Sequence, residues 1–174
     1  MSLAIPSGAA LWFLPFVTPV CLWVIWTDLT RMKIPNRAVA ALFAIYALVG
    51  PLALPFDLYA WQWLNLPVVL GLGFVFFAAG AMGAGDAKFI AVMAPFVTLA
   101  DASVFLRLYI AASLAALLVH RLALALPASG RIAADWESWK RQHPGPWWKQ
   151  PFPKGTALGV LLIAYLALGA ISGG

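Results

Sequence analysis

Six acidic residues occur in this chain of 174, and two of them, Asp28 and Asp86, stand at the ends of long apolar runs. A carboxylate at the edge of hydrocarbon is costly to desolvate, so it is usually functional or neutralised by a cation, for which Arg31 and Lys88 stand near in sequence. As a pair the two carboxylates admit a sharper chemistry. Closely spaced carboxyl groups cannot both ionise and therefore share one proton. The ionised member can take a proton from water as general base while the protonated member donates to a scissile carbonyl, which is the chemistry of peptide hydrolysis. No metal or cofactor is required. Asp57 and Asp101 fall in loops expected on the opposite side, and Asp135 and Glu137 in a polar loop where solvated charge is ordinary. Replacing Asp57 or Asp101 by Asn is expected to be almost silent.

The elements that must bring Asp28 and Asp86 together are membrane helices. With 64% hydrophobic and 10% charged residues, the chain is far more apolar than a soluble domain. Apolar runs at about 9–26, 37–54, 61–80, 87–100, 102–126 and 156–172 each approach the roughly 20 residues a span needs. The expected fold is all-α and polytopic: one membrane domain over 1–174, six transmembrane helices and one long interfacial cytoplasmic loop at about 127–155. The fourth run is the weakest, being short and carrying Pro95, so a kink is expected there. The first eight residues hold no Lys or Arg and no small-residue cleavage site follows, so the first helix is expected to be retained. Basic residues near span ends mark the cytoplasmic side. Ten of the eleven, all but Arg107, fall in the first, third and fifth loops. Both termini should then face outward, and Asp28 and Asp86 should lie at the same, cytoplasmic, depth. The net charge of +5 is explained by the same rule and gives no reason to invoke nucleic acid.

The local sequences add what topology cannot. Asp28-Leu-Thr-Arg-Met-Lys-Ile-Pro-Asn36 resembles the first signature of the type IV prepilin peptidase family, and Gly83-Ala-Gly-Asp86-Ala-Lys88 resembles its second, a Gly-x-Gly-Asp motif shared with preflagellin peptidases and, more distantly, presenilin-type proteases. The two motifs occur in the right order and are separated by two spans. Pro153-Lys154-Gly155-Thr156-Ala157 matches a third feature, Pro-Tyr-Gly followed by a small residue and Ala, except that Lys154 replaces the Tyr. The chain lacks the Cys-rich methyltransferase region of the long members and resembles the short form found with tight-adherence (Flp-type) pili. The resemblance implies a metal-independent aspartic endopeptidase of the bacterial inner membrane, with its active site facing the cytoplasm. It implies prepilin-like membrane proteins as substrates, cut after a Gly, with Asp28 and Asp86 as the catalytic pair. Gly83 and Gly85 would let a substrate backbone approach Asp86, tight helix packing being the competing explanation.

Other residues offer less. Cys21 is the only cysteine and lies in an apolar run, which excludes an internal disulfide and a paired-cysteine zinc site. Neither His120 nor His143 stands where it would ligate a metal, and Ser113, the Ser weighed for a Ser/His hydrolase, is explained by helix packing. Ile132, Trp136 and Trp139 recur at helical spacing, and Trp147 and Trp148 follow two prolines, as an interfacial anchor would. Lys88, two residues from Asp86, is expected to turn toward lipid headgroups. Two rival functions use the same residues: a proton- or ion-coupled carrier, which predicts carboxylates near midplane, and a noncatalytic pilus assembly factor. The oligomeric state is not legible.

Overall fold

The computed structural model describes residues 2–126, 133–140 and 150–173. The protein is an all-α polytopic membrane protein. Its helices are α1 (Ser7–Arg31), α2 (Asn36–Ala53), α3 (Phe56–Gln62), α4 (Asn65–Ala78), α5 (Ala84–Met93), α6 (Ala102–Ala125), α7 (Glu137–Lys140) and α8 (Lys154–Ser172). Short 3-10 turns at Ala94–Phe96 and Leu99–Asp101 join α5 to α6. Among the described residues, five segments are long and apolar enough to cross a bilayer: Ser7–Arg31, Asn36–Ala53, Phe56–Ala78, Leu99–Ala125 and Lys154–Ser172.

The expected fourth span takes a different form. α5 has 10 residues, about 15 Å of helix against a hydrocarbon core of about 30 Å. Pro95 lacks an N–H to continue the ladder, and the α-helix gives way to a 3-10 turn at Ala94. The chain nevertheless crosses the bundle here, from Asp86 at one end to Asp101 at the other.

α8 is the central element, lying along α1 on one side and α6 on another, while α5 is flanked by α2 and α4. At one end the two termini meet, Leu3 N–H donating to Ser172 C=O at 3.1 Å. The interior between α1, α2 and the 3-10 turn is aromatic: Phe13, Tyr46 and Phe96 pack with ring centroids 4.9–5.9 Å apart. α4 and α6 turn large apolar side chains outward, and on α6 Leu106, Ile110, Leu114, Leu118 and Leu122 make one exposed stripe at helical spacing. Such a stripe is stable against acyl chains and would be a liability in water.

Asp101 corrects the sequence expectation. It is 3% exposed and accepts from Ala4 N–H (2.8 Å), Ile5 N–H (3.0 Å), Thr98 Oγ1 (2.7 Å) and Tyr165 Oη (2.8 Å). It therefore knots the N-terminal segment, the entry to α6 and the middle of α8 together. Asp57, in contrast, is exposed in the first turn of α3.

Part of the loop at 127–155 is described. Trp136 packs edge-on against Trp26 and Trp139, and Ser138 is buried with its hydroxyl donating to Leu29 C=O. This stretch thus packs on the end of α1, beside Asp28, as well as presenting aromatic rings. Ile132, His143, Trp147 and Trp148 lie outside the described residues.

Candidate active site

α1 ends where its C-cap, Met32, turns left-handed (φ 51°) and donates its N–H to Asp28 C=O at 2.9 Å. Met32 is the one non-glycine residue with positive φ among the described residues, a conformation that costs a side-chain-bearing residue about 1–2 kcal/mol. Ile34 then precedes Pro35, which excludes helical backbone before it, and α2 begins at Asn36 as its sequence suggests. This sharp reversal leaves Asp28 in the last turn of α1, 5% exposed.

Asp86 is placed by a different device. α4 stops in a Schellman arrangement: Gly80 N–H bonds to Phe77 C=O and Ala81 N–H to Phe76 C=O, both at 2.9 Å, with Gly80 at φ +72°. α5 then starts with Gly83 as N-cap. Asp86 falls three residues later, where an acidic side chain can reach back to the N-cap N–H, and it does so. The positive end of the helix dipole also favours an anion there.

The two carboxylates line one open cavity of about 470 Å³ with Met32, Lys33, Ile34, Lys88 and Lys154. They lie close enough for the charge on Asp86 to act on Asp28. Gly83 and Gly85 border the same cavity. A Cβ on Gly85 would meet Ile34 Cβ at 3.5 Å, an ordinary contact, so local packing leaves room for a side chain there. Lys88, expected to turn away, borders the cavity and is exposed.

A third segment completes the site. Pro153 is the N-cap of α8, and Thr156 N–H donates to Asp28 Oδ2 at 3.2 Å with Gly155 N–H beside it. Asp28 thus sits in the N-terminal turn of α8, where backbone donors have no helical partner. Gly155 is buried, and a Cβ on it would lie 3.0 Å from Asp28 Cγ, Asp28 Oδ2 and Ile34 Cδ1. A side chain there would require Asp28 and Ile34 to give way by a few tenths of an ångström. Lys154, one residue earlier, donates from Nζ to Ala81 C=O at 3.3 Å. Arg31 and Lys88 are the cations that stand near the two carboxylates in sequence, whereas Lys154 stands far from both. The signal was its position in the Pro-Lys-Gly-Thr-Ala run, but its partner lies 73 residues away.

Burial pushes the Asp86 carboxyl above its usual range, while the Lys154 ammonium and the Gly83 N–H oppose that rise. His120 is buried behind the cavity wall, its ring edge-on to Trp139 and to Phe152, which lines the cavity, and does not itself line it.

A helical membrane protein that holds two carboxylates from different helices in one cavity belongs to a narrow class. The model of the type IV leader peptidase family matches residues 16–173, and the chain belongs to that family. Family membership makes it a membrane-embedded protease. No curated protein and no solved structure gives a significant match.

Proposed function

We propose that this protein removes the leader of prepilin-like membrane proteins at the cytoplasmic face of the bacterial inner membrane, with Asp28 and Asp86 as a metal-independent catalytic pair. The observation that carries the reading is the convergence of these two carboxylates, from α1 and α5, on one open cavity at the end of the bundle. One carboxylate, ionised, takes a proton from water as the water attacks the scissile carbonyl carbon. The other, protonated, donates to the carbonyl oxygen as the tetrahedral intermediate forms. Collapse of that intermediate breaks the C–N bond, the leaving amine takes a proton from the pair, and the hydrophobic helix of the product stays in the bilayer. Gly83 and Gly85 border the path by which a substrate backbone would reach Asp86.

The position of both carboxylates at helix ends, rather than midway along the bundle, favours a hydrolytic centre over an ion carrier. Lys33 and Lys88 beside the cavity, with the other basic residues at this end, support the cytoplasmic assignment. The decisive experiment is co-expression with a prepilin-like substrate. The wild-type protein shortens the substrate by its leader, and the Asp28→Asn protein leaves it full length.

A further inference from the structure

Two carboxylates that share a proton need a reason for one of them to be the anion. Their helical surroundings differ. Asp28 lies near the negative end of α1 and against the positive end of α8, two influences that largely cancel. Asp86 lies in the first turn of α5, at its positive end, and accepts from Gly83 N–H. Among the described residues, the other charges lining the cavity are Lys33 from the reversal after α1, Lys88 from α5 and Lys154 from α8. Lys88 is two positions beyond Asp86, about 200° around the helix. Lys154 is different. Its ammonium is tied to Ala81 C=O, in the turn that leads into α5, and its own backbone is one residue from the Gly155 and Thr156 N–H groups that hold Asp28. One helix end therefore addresses both carboxylates, one through N–H donors and the other through a full charge.

We propose that Lys154 is a positioning residue of the pair: from the start of α8 it holds the turn before α5 through Ala81 and keeps Asp86 as the ionised member, leaving the shared proton on Asp28. The inference rests on the peptidase reading for its meaning and not for its test. The first measurement needs no substrate. In the full-length Asp28→Asn protein in detergent, infrared difference spectra recorded against pH follow the Asp86 carboxyl band, identified by its loss in Asp28→Asn/Asp86→Asn. Adding Lys154→Met should raise the pH at which that band titrates by about half a unit, the effect of one exposed charge several Å away. Lys154→Arg should leave it near the parent value. High salt should move the parent toward the Lys154→Met protein and shift the latter less, since only Lys33 and Lys88 among the named cations remain there to be screened.

In the catalytically intact background, the acid limb of prepilin cleavage should shift upward in Lys154→Met by the same amount. An unmoved infrared titration would overturn the proposal whatever happens to cleavage, and so would a rate loss uniform across pH, which is what a purely structural tie to Ala81 predicts. A shifted titration in a protein that does not cleave prepilin would leave the electrostatic role standing and remove the peptidase reading instead.

Discussion

Thr156 N–H reaches Asp28 Oδ2 at 3.2 Å across 128 residues of sequence, so the last helix of the chain holds the carboxylate that ends the first. This contact turns two motifs and a third, weaker one into a single site. It also sets what each substitution should do.

Asp28→Asn and Asp86→Asn should each reduce prepilin cleavage by about 10²–10⁴-fold, because each removes one half of the proton transfer while keeping the side-chain shape. Both variants should still insert and extract from membranes like the wild type. Near-normal leader removal by either one would end the dyad reading.

Gly155→Ala should lose activity by about 10-fold, since the new methyl group would press on Asp28 and displace it by a few tenths of an ångström, less than the 1 Å misplacement that costs about 10²-fold. Gly85→Ala meets only Ile34 at ordinary contact distance, so it should melt at the wild-type temperature. A fall in kcat/KM for Gly85→Ala without loss of stability would mark an approach of substrate backbone; unchanged kinetics would remove that role, and a lowered melting temperature would assign this glycine to packing.

Asp101→Asn should destabilise the fold by about 2 kcal/mol, because an amide oxygen replaces a carboxylate that four donors share, and bonds to charged acceptors are worth about 1.5–3 kcal/mol. Asp57→Asn, at an exposed position, should melt with the wild type. Thermal unfolding in detergent separates the two, and equal melting temperatures would show that the Asp101 cluster contributes little.

Cleavage should follow a bell-shaped pH profile and persist in chelator. On the acid side activity falls as the ionised member gains a proton, and on the basic side as the shared proton leaves, so the two limbs belong to the pair. Burial raises the Asp86 carboxyl; its protonation on lowering pH therefore begins sooner than for an exposed Asp, and the acid limb should lie above the ordinary carboxylate range. Activity lost to chelator and restored by a divalent ion would replace this mechanism with a metal-dependent one.

Topology can be read by labelling single cysteines. In a Cys21→Ser background, Lys33→Cys and Lys140→Cys should be shielded from an impermeant reagent added outside intact cells, and Asp57→Cys should react. The reverse pattern would invert the orientation and move the site to the other face.

The class of fold, the two carboxylates and their common depth were legible because each depends on local pattern: long apolar runs, the Asp that ends one and the Gly-x-Gly-Asp that opens another, and basic residues gathered in alternate loops. The break at Pro95 was visible for the same reason, since a missing N–H acts on its own helix. What packing alone decided is which distant group meets each carboxylate. Asp57 and Asp101 look alike in sequence, yet one is solvated and the other collects donors from the N-terminal segment, Thr98 and Tyr165. Lys154 and Gly155 read only as a variant of a short motif until α8 lies against α1 and brings them to Asp28 and the turn before Asp86. Helix spacing along the chain determines which face a residue occupies, but the partner across that face depends on how the helices pack, and that is a property of the whole bundle.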